Sequence, residues 1–217
     1  MSDEQPNRPY VLGVDLDGVC GDYTAAFRSV VAHETGVSEE SLPLLRSWDF
    51  SEWGMSAEDF ERLHFLAVSE HRILRSMPVI DGTSETLWRL SDIGIWIRVI
   101  THRLYVNWTH ATAIADTVGW LDHARIPYRD ICFLGAKPEV EADLYIDDGP
   151  HNVEALRSSG NQVIVFDAPY NQKLAGPRVT NWLECEQTIL TLASEMGFNL
   201  QPELPGLDFD DARLAEH

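Results

Sequence analysis

The sequence is poor in basic residues. Its 217 residues include 16 Lys and Arg against 35 Asp and Glu, which gives a formal net charge of -19 at pH 7. Proteins bind a nucleic-acid backbone through Lys and Arg that displace counterions. This composition therefore argues against nucleic acid as the partner. A small phosphorylated substrate stays compatible with it, because a local positive group or a bound metal can override the global field.

Long apolar runs and cysteine pairs are also missing. No apolar run is long enough to span a bilayer, and the polar start (residues 1–7) lacks the apolar core of a signal peptide. The three cysteines, Cys20, Cys132 and Cys185, are odd in number and far apart, which favours reduced thiols over disulfides or a zinc site. We therefore expect a cytoplasmic protein with no membrane contact, in which Cys20 is a small buried side chain.

Short apolar segments alternate with amphipathic helical segments along most of the chain. The predicted strands lie at residues 10–14, 95–100, 131–134, 144–146 and 163–166. The predicted helices between them lie at residues 23–33, 83–93, 105–123, 151–159 and 181–196. This alternation predicts an α/β fold, with a mainly parallel sheet covered by helices on both faces.

One segment interrupts the alternation. Residues 38–80 are rich in aromatic side chains and show no strand pattern, and Ser56 followed by Glu58 and Asp59 indicates the start of a helix. We expect residues 21–80 to form a small helical cap, inserted after the first strand of a core made of residues 8–20 and 81–200. Residues 1–7 and 201–217 are expected to be flexible termini.

Two carboxylates stand where the first strand ends. Asp15 and Asp17 flank Leu16, so the period of two along a strand places both carboxylates on the same side. Neighbouring anions repel each other unless a cation or a shared proton lies between them. Taken alone, Asp15-Leu16-Asp17-Gly18 has an alternative explanation as a polar strand end followed by a turn.

Polar residues also follow other predicted strands. Thr101 ends the second, Lys137 follows the third, and Asp147 with Asp148 ends the fourth. The carboxyl ends of parallel strands meet at one edge, where ligands bind in α/β sheets. Carboxylates are oxygen ligands suited to Mg²⁺, and the hydroxyl and ammonium groups are donors suited to phosphate. Together these residues predict a metal and phosphate site.

These residues resemble the four motifs of the haloacid dehalogenase (HAD) superfamily of phosphotransferases, over residues 10–196. The motif Asp15-Leu16-Asp17-Gly18-Val19, the following Asp22-Tyr23 and the run Leu144-Tyr145-Ile146-Asp147-Asp148 are similar to the cytosolic and mitochondrial type of 5′(3′)-deoxyribonucleotidase. The segment 166–172 resembles bacterial and phage members. One position departs from the family pattern, because His102-Arg103 stands where Ser-Pro often follows the Thr of the second motif.

The resemblance implies a Rossmann-like HAD core and an Mg²⁺-dependent phosphatase that acts on nucleoside monophosphates through an aspartyl-phosphate. Asp15 would be the nucleophile, and Asp17 the general acid and base. The metal would be held by Asp15, the backbone carbonyl of Asp17 and the Asp147-Asp148 pair. Asp148 is expected to be a direct ligand, whereas Asp147 acts through Lys137 or water.

The resemblance also implies where the substrate lies. Phosphate oxygens would be bound by Thr101, Lys137 and backbone N–H groups near Gly18 and His102. The helical cap would close over the leaving group. A homodimer is implied by the family alone.

Three aromatic residues of the helical cap are candidates for stacking on a nucleotide base, namely Tyr23, Trp48 and Phe50. Packing within the cap explains them equally well.

Other functions stay open. A phosphatase for a phosphosugar or another small phosphorylated metabolite has the same motifs, and so does a phosphomutase. A non-catalytic binding protein with this fold is a further alternative, although it would have no need to keep Asp15, Asp17, Lys137 and Asp148 together. A dehalogenase is disfavoured, because it needs neither an Mg²⁺ site nor a second catalytic Asp.

Overall fold

The computed structural model describes residues 8–105, 109–198 and 200, so both predicted flexible termini lie outside the described residues. The strands are β1 (Val11–Val14), β2 (Trp96–Thr101), β3 (Asp130–Phe133), β4 (Leu144–Asp147), β5 (Val163–Phe166) and β6 (Arg178–Val179). They form one sheet in the order β3-β2-β1-β4-β5-β6, and every neighbouring pair is parallel. The carboxyl ends of β1, β2 and β4 therefore lie side by side.

The helices of the described residues are α1 (Tyr23–Thr35), α2 (Ala57–Ser69), α3 (Ile73–Ser76), α4 (Thr83–Asp92), α5 (His110–His123), α6 (Pro150–Ser158) and α7 (Trp182–Glu195). Between β1 and β2 the chain forms α1 to α4. Of the later strands, β2 and β3 are connected by α5 and β4 and β5 by α6, whereas the other two connections contain a short 3₁₀ turn. No helix in the described part of the chain has both the length and the apolar character to cross a membrane.

Strands β4 and β5 bury alternate side chains on opposite faces of the sheet. Leu12, Ile146 and Ile164 belong to a large apolar cluster that also contains residues of α4 and α7. Val163 and Val165 belong to a second cluster with residues of α6. A strand that is covered on both faces is apolar along its whole length. The short apolar runs in the sequence therefore predicted these strands correctly. The predicted α/β fold with helices on both faces is confirmed.

Within the segment predicted to form the helical cap, aromatic side chains pack around Phe27, which is fully buried and belongs to the same apolar cluster as Leu12 of β1. The Phe27 ring lies 5.4 Å from Phe50 and 5.7 Å from Phe60 between ring centroids. Aromatic pairs of this kind contribute about 0.5–1.5 kcal/mol each beyond the area that they bury. Helix α2 begins as predicted, because Ser56 and Asp59 form a reciprocal capping box.

Two chain segments join the helical cap to the core and run beside each other. The Asp22 N–H donates to Pro78 O at 2.8 Å, and the Ile80 N–H donates to Cys20 O at 2.8 Å. A third connection is an ion pair between Arg72, which precedes α3, and the buried Asp116 of α5. Cys20 is fully buried, as the sequence predicts.

The structure corrects two details of the sequence prediction. Strand β6 was not predicted, because its two residues are too short to show an alternating pattern. The helix predicted from Tyr105 begins at His110 instead, and residues 106–108 lie outside the described residues. Tyr105 still belongs to the turn after β2, since its N–H donates to His102 O at 2.8 Å.

Candidate active site

The ends of β1 and β4 carry two carboxylates on either side of one ammonium group. Lys137 Nζ lies 2.8 Å from Asp15 Oδ1 and 2.6 Å from Asp147 Oδ2. Asp15, Lys137 and Asp147 are all buried, with at most 8% of each residue exposed. Lys137 reaches this position from a single 3₁₀ turn, Lys137–Glu139, that follows β3. The structure thus brings these three predicted residues together.

Asp148 completes a cluster of three buried carboxylates. Asp15, Asp147 and Asp148 each offer an oxygen atom, and these atoms lie within 4.8 Å of one another. Burial raises the pKa of Asp15 to about 7, although the Lys137 ammonium acts in the opposite direction. Burial, followed by the charge of Asp15, also raises the pKa of Asp148. One ammonium thus faces three carboxylates, an excess of negative charge that a divalent cation would relieve.

The donor set fits Mg²⁺, because every candidate ligand atom is an oxygen. Asp147 and Asp148 differ in how many hydrogen bonds and ion pairs their carboxylates already form. Asp147 Oδ2 pairs with Lys137, and its Oδ1 accepts from the Gly149 N–H at 2.8 Å and from Asn152 Nδ2 at 3.2 Å. The Asp148 carboxylate has a single hydrogen-bond donor among the described residues, the Tyr170 hydroxyl. Asp148 is therefore freer than Asp147 to bind a metal directly.

Gly18 leaves the space that this cluster requires. Its φ of +86° lies in the left-handed region, and a Cβ there would stand 2.0 Å from Asp148 Oδ2. A side chain at this position would therefore collide with the carboxylate and strain the backbone. The Gly18 N–H donates to Gly21 O at 2.8 Å, which turns the chain away from β1.

The Asp17 carboxylate is not part of the three-carboxylate cluster and is bound by Arg103. Arg103 Nε lies 3.1 Å from both carboxylate oxygens, and Nη2 lies 2.7 Å from Oδ1. The guanidinium is buried against Trp120, with its carbon 5.0 Å from the ring centroid. Sequence reasoning missed this partner, although the basic residue at a position where the family often has Pro was a usable signal.

Thr101 and His102 lie at the end of β2 beside the same cluster. Thr101 is fully buried, and its Oγ1 accepts from the Arg103 N–H at 3.3 Å. His102 Nε2 is buried and has no hydrogen-bond partner in the described part of the chain. Burial and the charge of Lys137 lower the pKa of His102, which favours the neutral ring. An unpaired buried nitrogen at this place is a candidate contact for a ligand.

The three aromatic candidates of the helical cap occupy different environments. Phe50 is 4% exposed and packs in the cap interior. Tyr23 is partly buried, and its hydroxyl lies 2.8 Å from His64 Nδ1. Trp48 is 45% exposed and lies 5.3 Å from Tyr170 between ring centroids. Of the three, Trp48 is the one that contacts a neighbour of the carboxylate cluster and keeps an open face.

Two further residues near the site were not predicted. Tyr170 lies in the segment that resembles bacterial relatives, so its position was flagged but its contact with Asp148 was not. Arg46 of the helical cap is 6% exposed, and its guanidinium lies 3.7 Å from the Phe50 ring and 4.5 Å from the Tyr170 ring. Nothing in the sequence pattern distinguishes this Arg from a solvated surface charge.

The chain matches a known protein family over most of its length. The family model of the 5′ nucleotidase, deoxy (pyrimidine), cytosolic type C proteins matches residues 8–195. The chain belongs to this type C nucleotidase family. It is 42% identical over 173 residues to a Chlorobaculum tepidum protein assigned as a 5′(3′)-deoxyribonucleotidase, and this match covers 79% of the chain and 86% of that protein.

Other known proteins are similar to this chain over most of its length. The 5′(3′)-deoxyribonucleotidase of Bacillus subtilis is 26% identical, over 83% of this chain and 98% of the relative. A haloacid dehalogenase-like hydrolase of Xanthomonas campestris superposes with a TM-score of 0.55 at 14% identity, over 89% of this chain and 97% of that one. A HAD-hydrolase of Bacillus subtilis, solved bound to magnesium, gives 0.52 at 16% identity, over 84% and 99%. These two structures show the shared fold.

Proposed function

We propose that this chain hydrolyses nucleoside monophosphates as a 5′-deoxyribonucleotidase-like, Mg²⁺-dependent phosphomonoesterase. Its family consists of phosphoric monoester hydrolases, and the chain shares that enzyme class. The observation that carries the proposal is the position of Asp15, buried at the end of β1 with Lys137 Nζ 2.8 Å from its carboxylate. A nucleophile and a phosphate-binding cation thereby meet at one point.

We assign the metal to Asp15, Asp148 and the backbone carbonyl of Asp17, with Asp147 supporting the site through Lys137. When bound, Mg²⁺ supplies positive charge that reduces the repulsion between the attacking carboxylate and the phosphate. The three buried carboxylates support this assignment, and so does the lack of a side chain at Gly18, where a Cβ would collide with Asp148.

In the proposed reaction a carboxylate oxygen of Asp15 attacks phosphorus in line with the ester bond. A bond forms between this oxygen and phosphorus while the bond from phosphorus to the sugar oxygen breaks, and Asp17 gives its proton to the departing oxygen. Asp17 then takes a proton from water, whose oxygen bonds to phosphorus as the bond from phosphorus to the Asp15 oxygen breaks; phosphate is released and the Asp15 carboxylate is restored. Lys137 and Thr101 bind the phosphate oxygens throughout.

The leaving group would lie under the helical cap. We propose Trp48 as the residue that covers the nucleoside, because its exposed ring lies at the edge of the site, beside Tyr170. His102 Nε2, which has no partner among the described residues, is a second candidate contact for the substrate. The homodimer and the cytoplasmic location stay predictions.

A panel of phosphate esters tests the proposal. The chain is assayed with nucleoside monophosphates, sugar phosphates and other metabolites in Mg²⁺, with EDTA as the metal-free control. We expect hydrolysis of nucleotides, with deoxyribonucleotides preferred, and none in EDTA. Faster hydrolysis of sugar phosphates would overturn the substrate assignment, and no hydrolysis of any ester would overturn the enzyme assignment.

Substitution of the nucleophile tests the mechanism. Asp15→Asn should abolish turnover while circular dichroism and the melting transition still report a folded chain. The exposed Asp92→Asn is the matched control and should keep full activity. Turnover retained by Asp15→Asn would remove this residue from the role.

A further inference from the structure

The helical cap carries a second cluster of metal-binding side chains. His33 and Glu34 lie in the last turn of α1, and His71 lies in the connection between α2 and α3. Each of these three residues offers one ligand atom, and the three atoms lie within 4.8 Å of one another. The cluster shares no residue with the three-carboxylate cluster, so it has no part in the proposed reaction.

The ligand atoms of this cluster differ in kind from those of the three-carboxylate cluster. Two imidazole nitrogens and one carboxylate suit zinc and similar transition metals, whereas hard cations such as Mg²⁺ prefer oxygen ligands. Three protein ligands leave a fourth position of a tetrahedral site for water. His33 keeps 74% of its side chain exposed, so an ion can reach the cluster from solvent.

The spacing of the ligand atoms is already close to that of a zinc site. Zinc lies 2.0–2.1 Å from nitrogen in proteins, and tetrahedral angles then separate two ligand atoms by about 3.3 Å. Glu34 Oε1 lies 3.1 Å from His33 Nδ1 and 2.8 Å from His71 Nε2. For an ion to bind, the Glu34 oxygen would therefore have to move only a few tenths of an ångström from each of the two nitrogens.

The charge of the cluster also favours a cation. Glu34 Oε1 already lies within hydrogen-bond distance of both imidazoles, so a carboxylate stands between the two His rings. No Lys or Arg forms an ion pair with Glu34 in the described residues. The chain as a whole carries a net charge of -19, which adds to the attraction for a cation.

We propose that His33, Glu34 and His71 form a binding site for one zinc-type transition-metal ion on the helical cap. The ion would fasten the end of α1 to the segment before α3. That segment continues into Arg72, whose ion pair with Asp116 joins the cap to α5 of the core. The site would thus stabilise the cap beside its attachment to the core.

Zinc titration of the full-length, tag-free chain tests the proposal. With Mg²⁺ at saturation, calorimetry is run on the wild type, Glu34→Gln and His71→Ala, with His123→Ala as the matched control. His123 is exposed and lies outside the cluster. We expect the wild type and the control to bind one zinc ion with equal affinity, and the two site variants to bind at least about tenfold more weakly. Zinc should raise the melting temperature of the wild type and not that of His71→Ala.

Two observations complete the test. Co²⁺ should give the intense visible absorption of a four-coordinate ion in the wild type, and this absorption should vanish in His33→Ala, whose exposed side chain can be removed without disturbing the fold. The proposal is overturned if the wild type takes up no more zinc than His71→Ala does. None of these variants changes a residue of the three-carboxylate cluster. Nucleotidase activity in Mg²⁺ therefore tests the proposed function independently of zinc binding.

Discussion

Arg103 is bonded to the Asp17 carboxylate through both Nε and Nη2, and its guanidinium is buried. A bidentate contact fixes the plane and position of a carboxylate, whereas a single charge fixes only its distance. We therefore infer that Arg103 is a positioning residue that orients the proposed proton carrier toward the departing oxygen.

Arg103→Ala should lower kcat for a nucleotide by at least about tenfold, within the 10²–10⁴-fold limit for losing an acid–base group outright. The loss should be much smaller for p-nitrophenyl phosphate, whose leaving group needs little protonation. Arg103→Lys should restore only part of the rate, because Lys keeps the positive charge but cannot form the bidentate hydrogen bonds of the guanidinium. Steady-state kinetics on both substrates checks this.

The exposed Arg62→Ala serves as the control for Arg103 and should behave as the wild type. An equal loss on both substrates would show that Arg103 acts on the fold of the site and not on proton transfer. A melting scan of each variant separates such a loss from partial unfolding.

Gly18 and Gly54 form a matched pair for testing the space around the metal site. Both have positive φ, +86° and +68°, but a Cβ on Gly18 would meet Asp148 at 2.0 Å while a Cβ on Gly54 would meet nothing within 4 Å. Gly54→Ala should lose only about 1–2 kcal/mol of stability from the left-handed backbone. Gly18→Ala should lose activity and Mg²⁺ binding as well.

Urea unfolding and Mg²⁺ titration of the two glycine variants check this prediction. If Gly18→Ala binds Mg²⁺ as tightly as Gly54→Ala does, a side chain at residue 18 does not displace the Asp148 carboxylate, and the prediction is wrong.

Tyr170 donates its hydroxyl to Asp148, the proposed direct metal ligand. Groups that orient a metal ligand in this way typically contribute 10–100-fold to metal affinity. Tyr170→Phe should therefore raise the Mg²⁺ concentration needed for half-maximal activity by about that factor, while kcat at saturating Mg²⁺ changes little. The exposed Tyr105→Phe is the control. An unchanged Mg²⁺ requirement in Tyr170→Phe would contradict the role.

The fold and the approach of Asp15, Lys137 and Asp147 to one another could be predicted from the sequence. Both follow from the alternation of apolar strands with helices and from the parallel direction of the strands. Parallel strands end at a common edge, so residues as far apart as Asp15 and Lys137 had to approach each other. The contacts of Arg103 and Arg46 could not be predicted in the same way. Both depend on where long flexible side chains come to rest between elements, and sequence spacing does not determine that position.

The helical cap gave a similar mixture of outcomes. Ser56 and Asp59 marked the start of α2, because a capping box is a local pattern of four residues. The environments of Trp48 and Phe50 were not separable in the sequence, since both are large aromatic residues close together in the same segment. Only tertiary packing distinguishes the exposed ring from the buried one.

Trp48 and Phe50 therefore permit a direct comparison of substrate contact with cap packing. Trp48→Ala should raise KM for a nucleotide and leave stability nearly unchanged, because the ring is 45% exposed and lies beside Tyr170. Phe50→Ala should instead cost about 3–5 kcal/mol of unfolding free energy, the usual range for removing a buried Phe. Kinetics with deoxyribonucleotides and urea denaturation of both variants test the division. A nucleotide KM that Trp48→Ala leaves unchanged would place the base elsewhere and would direct attention to His102.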